Sequence, residues 1–218
     1  MYITSYLSKD VKPGKVTSST DDLLQMVREM KLTHLPLFKG LDFIGNIAEE
    51  DLIEFAKQEK GEDIVDYAES FYLLEDQTIF DALQLIYHNH TNVLPVLSKD
   101  LKYIGIITSQ TLAEALAKYP FIKEIAVSML VSIATKDLSF STISNIIESN
   151  NGKIYSLFII KELDGNTEVL IRFNTTNLIG IGETFERYGF KVIQKYYNDE
   201  KQELLQSRYN QLLKYMNT

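Results

Sequence analysis

Leu94, Pro95, Val96 and Leu97, followed by Tyr103, Ile104, Gly105, Ile106, Ile107 and Thr108, form the stretch on which the reading of this chain turns. It has an earlier echo: Leu35, Pro36, Leu37 and Phe38 lead into Phe43, Ile44, Gly45, Asn46, Ile47 and Ala48. An offset of 59 residues makes Asp22 and Asp81, Leu24 and Leu83, Gln25 and Gln84, Leu35 and Leu94, and Pro36 and Pro95 identical. One inserted residue in the following turn then aligns Ile44 with Ile104, Gly45 with Gly105 and Leu52 with Leu112. Self-similarity at a fixed separation marks one folding unit present twice.

Each copy reads as β-α-β-β-α. In the first, Tyr2 to Leu7 reads as an extended piece, and Lys12, Pro13, Gly14 and Lys15 as a turn. Ser18, Ser19 and Thr20 can cap a helix that has Asp21 and Asp22 in its first turn, where the helix dipole favours acids. Leu23, Val27 and Met30 give that helix an apolar stripe ending near Leu32. Strands 35–38 and 43–48 follow, then a helix over 49–56. The second copy runs from a helix opened by Asp76 to Thr78, through strands 93–97 and 103–108, to a helix containing Leu112 and Leu116.

Composition narrows the function classes. With 45% hydrophobic and 24% charged residues, the chain has the makeup of a globular protein, and no apolar run approaches the roughly 20 residues of a membrane span. The start of the chain lacks the apolar core of a signal peptide, so a cytoplasmic location is expected. The absence of cysteine excludes disulfides, thiolate catalysis and cysteine-ligated metals. Residues 1–124 carry 12 basic and 20 acidic side chains, whereas 125–218 carry 10 of each, so the whole net charge of -8 sits in the repeated part. A phosphate backbone would be repelled there, and neither nucleic acid nor membrane is expected as a partner. No nucleophile elbow or phosphate-cradling loop is present, and the chain reads as a non-enzyme. The acidic run through Glu49, Glu50, Asp51, Glu54, Glu62, Asp63 and Asp66 reads as a solvated helix face and linker. His88 and His90 lie two apart, on different sides of a helix, and His34 reads as a surface or packing histidine, so no metal is expected.

Beyond Pro120 and Phe121 the pattern changes. Ile125 to Thr135 alternates as a strand, and Asp137 or Ser139 can cap a helix carrying Phe140, Ile143, Ile146 and Ile147. A hairpin of strands 154–161 and 168–173 turns at Asp164, Gly165 and Asn166, before a helix carrying Leu178, Ile181, Phe185 and Tyr188 and a strand over 190–196. The order is β-α-β-β-α-β, the split ferredoxin-like pattern. Asp199 to Met216 reads as an amphipathic helix with Leu205, Tyr209, Leu212, Leu213 and Met216 on one side.

The doubled leucine-proline-hydrophobic strand and the glycine-hydrophobic-hydrophobic-threonine strand resemble the recurrent marks of a tandem pair of cystathionine-beta-synthase (CBS) domains, a Bateman module. The close through Tyr188, Gly189, Phe190 and Val192 resembles the end of an ACT domain, although the glycine that family usually places near Ser139 is missing. A CBS pair followed by an ACT-like domain is similar to the acetoin-utilisation-type arrangement. The expected class is therefore α+β. The CBS pair would occupy 1–120 (repeats about 1–58 and 59–120), the ACT-like domain 121–197, and a C-terminal helix 198–218.

The resemblance implies a regulatory protein, a homodimer, that senses an adenosine-type ligand in clefts between the repeats and acts on an unidentified regulated protein. In such modules a threonine or serine closes the strand and an aspartate follows three residues later. A hydroxyl and a carboxylate at a helix N-terminus can hydrogen-bond the ribose hydroxyls while an apolar strand floors the base. Here the second copy has Thr108 but Thr111 in the acid's place, and the first has Asp51 but Ala48 in the hydroxyl's place. Candidate nucleotide-binding residues are thus Thr108, Asp51, Ile106, Ile104, Pro95 and Thr111, with Thr108 and Asp51 on ribose and Ile106 on the base. The bland alternative is that Thr108 and Asp51 only cap their helices, in an interaction scaffold whose clefts are degenerate. Arg28 is the only arginine before Arg172, which favours a nucleoside or monophosphate over a triphosphate.

Overall fold

The computed structural model describes residues 2–8, 10–55 and 64–196. The chain divides into two compact units, Met1–Lys118 and Tyr119–Thr218. The expected C-terminal helix and part of the acidic linker lie outside the described residues.

In the first unit, a 3-10 helix, Ile3–Tyr6, precedes β1 (Gly14–Lys15), α1 (Thr20–Met30), β2 (His34–Lys39), β3 (Asp42–Ala48) and α2 (Glu49–Phe55). The second copy has its own 3-10 helix, Val65–Tyr67, then β4 (Leu73–Leu74), α3 (Ile79–His88), β5 (Val93–Leu97), β6 (Tyr103–Thr108) and α4 (Ser109–Ala117). Each copy builds a three-stranded sheet, ordered β1-β2-β3 and β4-β5-β6. In each, the two-residue strand runs parallel to the leucine-proline strand, and that strand pairs antiparallel with the glycine-containing one.

The expected extended piece at 2–7 is instead this 3-10 turn, and the first strand of the repeat falls inside the expected turn, at Gly14 and Lys15. Gly14 fits there because a Cβ would come within 2.9 Å of side-chain carbons of Leu35, Leu23 and Leu37. The leading segment is held by the other copy. Ile3 is fully buried, its N–H donates to the Gln77 carbonyl at 3.0 Å, and the Ser8 N–H donates to the Ile106 carbonyl at 2.7 Å. Reciprocally, the Glu69 N–H donates to the Asn46 carbonyl, and the Asn46 N–H to the Glu69 carbonyl, both at 2.8 Å. Each repeat thus has the outer edge of its glycine-containing strand covered by the segment that leads into the other repeat.

Helix starts are fixed by side-chain caps. Ser19 accepts from the Asp22 N–H, and Thr78 forms a reciprocal box with Asp81. The Thr78 side chain, then its backbone N–H, holds the Asp81 carboxyl below the usual carboxylate range. Thr78→Ala is expected to lower unfolding stability by about 1 kcal/mol, measured by thermal or urea denaturation, and no loss would contradict the box.

The repeats meet along a pseudo-two-fold seam. Thr33 and Asn92, equivalent at the 59-residue offset, bond each other: the Thr33 N–H donates to Asn92 Oδ1 and the Asn92 N–H to Thr33 Oγ1, each at 3.0 Å. At the far end, Asp42 pairs with Lys102 and the Phe38 ring lies 4.7 Å from the Tyr103 ring. Leu23, Val27, Leu35, Leu37 and Ile47 share one buried cluster with Val93 and Ile106, so a common core joins the two copies.

The second unit runs α5 (Pro120–Lys123), β7 (Val127–Ala134), α6 (Phe140–Glu148), β8 (Lys153–Leu163), β9 (Asn166–Asn174), α7 (Leu178–Arg187) and β10 (Lys191–Tyr196). Its sheet is antiparallel in the order β10-β7-β9-β8. Alternation decides which face is buried. Met129, Val131, Ile133, Val169, Ile171 and Phe173 pack with Ile143, Ile146 and Ile147 of α6 and Ile181 and Phe185 of α7. α6 starts at Ser139, whose hydroxyl accepts from the Thr142 N–H.

Candidate functional site

Thr108 ends β6 and caps α4. Its Oγ1 accepts from the Thr111 N–H at 3.2 Å, while Thr111 Oγ1 accepts from the Thr108 N–H at 2.9 Å. The Thr111 hydroxyl proton goes to the Thr108 carbonyl at 2.9 Å, and the two hydroxyl oxygens are 3.3 Å apart. Threonine therefore substitutes for the acid of a capping box. Thr111 spends its hydroxyl proton on the backbone, whereas the Thr108 proton can turn either to Thr111 or to a ligand oxygen.

Ile104, Ile106 and Thr108 share one face of β6 by strand alternation. Ile106 is fully buried in the common core, and Pro95 is buried opposite it in register. The half-buried Ile104, Thr108 and Thr111 are what this half-site offers at the surface.

The first repeat differs at the equivalent places. Asp51, partly exposed, stands in the first turn of α2 beside Glu49 and Glu50. His34 lies opposite Ala48 in the ladder and is only 7% exposed. Its Nε2 is 3.6 Å from Glu69 Oε1, its Nδ1 is 3.0 Å from Thr33 Oγ1, and its ring meets Phe71 edge-on at 5.5 Å. Asn46 takes the place of Ile106. It is fully buried, and its Nδ2 donates to the Phe71 carbonyl at 2.7 Å and the Glu69 carbonyl at 3.2 Å, leaving Oδ1 without a partner among the described residues. Arg28 is paired with Glu49 at 3.7 Å. This half-site is therefore acidic and tied to the segment 69–71, while the Thr108 half-site carries no charge on its cap.

His34, Asn46 and Glu69 form a cluster that sequence reasoning did not assemble. The overlooked signal is a second echo at an offset of 61: Ile3 with Ile64 and Tyr6 with Tyr67, which would have placed both crossing segments. Among the described residues no group of three His, Cys, Asp or Glu converges to hold a metal ion.

Burial lowers the pKa of His34, and Glu69, Asp51 and Glu50 pull the other way without winning. Below its ordinary value of 6.5 the unfolded chain therefore binds a proton that the folded one resists, so stability falls as the pH drops through about 6.5. Melting temperatures taken from pH 7.5 down to 5.5 are expected to fall, and to fall less in His34→Gln; parallel curves for the two proteins would contradict this assignment.

Residues 63–118 match the family model of the CBS domain. The CBS-domain match spans the second copy from before its 3-10 turn to the end of α4, and so contains Pro95, Ile104, Ile106, Thr108 and Thr111. Among solved structures, a CBS domain pair/ACT domain protein from Thermotoga maritima is similar at 18% identity, over 54% of this chain and 98% of that one, with a TM-score of 0.48. CBSX2 in complex with AMP is similar at 22% identity, over 54% and 96%, with a TM-score of 0.43. CbpB in complex with c-di-AMP is similar at 20% identity, over 53% and 84%, with a TM-score of 0.42. No curated protein matches the sequence. No helix among the described residues is long and apolar enough to cross a membrane.

Proposed function

We propose that the first unit is a CBS-type regulatory sensor that takes a nucleoside or nucleoside monophosphate of the adenosine type at the Thr108 half-site. The observation that carries this reading is the cap itself: Thr108 keeps one hydroxyl proton free to turn outward at the start of a nine-residue helix, beside a half-buried isoleucine. In this reading Thr108 and Thr111 face the ribose, and Ile104 takes the base contact expected of Ile106, which is fully buried and forms the floor beneath it with Pro95. Asp51 serves the weaker first half-site, where Glu49, Glu50 and Glu69 disfavour phosphate. The ligand would act by binding one relative packing of the two repeats more tightly than another. The second unit, read as ACT-like, would pass that change to a regulated protein in the cytoplasm, and the whole would work as a homodimer without catalysis.

A thermal-shift series with adenosine, AMP, ADP, ATP, NAD and S-adenosylmethionine tests this. A ligand at 100 times its dissociation constant adds about 2.7 kcal/mol of stability. Thr108→Ala is expected to weaken the responding ligand roughly two- to twelvefold, from the loss of one neutral hydrogen bond. A response unchanged in Thr108→Ala would overturn the site.

A second reading, an interaction scaffold, is favoured by a different observation. Thr108 and Thr111 satisfy each other, and Asn46 ties down the crossing segment, so the unit is closed without a ligand. Absence of any response at millimolar ligand supports the scaffold.

A further inference from the structure

We infer that Arg172, with the serines on either side of it across the sheet, is a site for a small oxyanion, the carboxylate or phosphate group of a ligand held by the second unit. Arg172 pairs with Ser128 of β7 and with Ser156 of β8, so the three stand in one row across the sheet. Ile171 and Phe173 are buried against the helices, and alternation therefore turns Arg172 to the opposite face. The row crosses the start of β7, at the other end of the sheet from Ser139 and the loop before α6.

Incomplete hydrogen bonding singles this row out. Arg172 Nη1 donates to Ser128 Oγ at 3.4 Å and Nη2 to the Glu124 carbonyl at 3.5 Å, both at the outer limit of a hydrogen bond. Arg172 Nε and Ser156 Oγ are shut off from solvent, and neither has a hydrogen-bond partner among the described residues. No carboxylate among those residues pairs with the guanidinium. A cation that loses hydration without gaining a counter-charge destabilises the fold, and so does a buried donor with nothing to receive its proton. A water molecule would answer Nε and the hydroxyl but not the charge. An oxyanion answers all three, because a guanidinium presents two parallel N–H donors that match two oxygens of a carboxylate or phosphate, and a serine hydroxyl can donate to the same group.

The surroundings suit an anion with an apolar body. Lys153 pairs with Asn174 on the same face, one row further along, and its Nζ lies 5.4 Å from the Tyr155 ring centroid. Glu124 meets Arg172 through its backbone carbonyl, and the first acid of β9 on this face is Glu168, four residues away and beyond Leu170. In the row between, Phe158 pairs with Leu170, and the Phe121 ring meets Phe158 edge-on at 5.7 Å. An apolar wall thus stands beside the cation.

This site lies wholly in the second unit, and its test is independent of the Thr108 half-site. The nitrogen-15-labelled full chain is titrated with sodium phosphate and with sodium benzoate, each against sodium chloride at equal ionic strength. Saturable shifts of the Arg172 Nε–H signal and of the Ser128 and Ser156 amides are expected with phosphate or benzoate and not with chloride. Saturation first by phosphate assigns a phosphate-bearing ligand, and first by benzoate a carboxylate. Ser156→Ala is expected to weaken the response about tenfold or more, because its hydroxyl donates to a charged acceptor. Arg172→Lys, which keeps the charge but loses the fork, is expected to weaken it as much, read at the two serine amides. In chloride, Arg172→Met is expected to melt no lower than the unsubstituted protein, since it removes a buried donor and charge that have no partner. No response to either anion, equal shifts with chloride, an R172K protein that titrates unchanged, or an R172M protein that melts well below the unsubstituted one would overturn the site.

Discussion

Leu35→Ala and Leu94→Ala will each lower the unfolding free energy of the first unit by about 2–5 kcal/mol, the range for truncating a leucine that has no room to collapse around. Both leucines are fully buried, and they occupy equivalent places in β2 and β5. The environment of Leu35 comes from both copies, since it shares its cluster with Val93 and Ile106 of the second repeat. The first copy therefore does not own its core, and damage at Leu35 is expected to loosen both. Urea titrations followed by circular dichroism, together with hydrogen exchange at β3 and β6, measure this. Losses below about 1 kcal/mol, or exchange faster only in the substituted copy, would contradict a shared core.

Gly45→Ala is the second large effect. A Cβ there would sit 2.6 Å from the Ala68 Cβ and 3.2 Å from both the Ala68 carbonyl carbon and the Glu69 oxygen, so the obstruction is partly backbone. The segment that meets it is the one Asn46 holds through two carbonyls. At the equivalent Gly105 the clash is 2.8 Å, but against the side chain of Leu7, which can turn aside. Overpacking typically costs about 1–3 kcal/mol, and G45A is expected at or above the top of that range with G105A toward the bottom. Equal melting temperatures for the two variants would show that the crossing segments are not what fixes these glycines.

The strands of the seam were legible because a repeat is visible without any knowledge of contacts. Leu35 and Leu94, Pro36 and Pro95, and Gly45 and Gly105 align by inspection, and hydrophobic alternation then supplies the sheets. The leading segments were not legible in the same way. Ile3–Tyr6 and the Ser8 that follows it are held by hydrogen bonds to Gln77 and Ile106, residues far along the chain, and a four-residue 3-10 turn leaves too little periodicity to read. β1 and β4 are two residues each and exist as strands only because β2 and β5 lie beside them.

The site divides along the same line. Thr108 and Thr111 were legible because a cap is a local device, four residues long. Burial of Ile106 could not be read from β6 alone, since alternation gives the face but not what covers it; the cover comes from the first repeat. The His34 cluster joins residues 23 to 35 positions apart, His34 with Glu69 and Asn46 with Glu69, and only the crossing of chain segments brings them together.

Titration of the uniformly nitrogen-15-labelled full chain with AMP, followed by amide spectra, puts the paired-repeat sensor to its most direct test. Saturable shifts should appear at Ile104, Thr108, Thr111 and the first turn of α4, weaken in Thr108→Ala, and extend across the seam to Thr33 and Asn92. Spectra unchanged at millimolar AMP and adenosine, or shifts confined to residues beyond Tyr119, would contradict it.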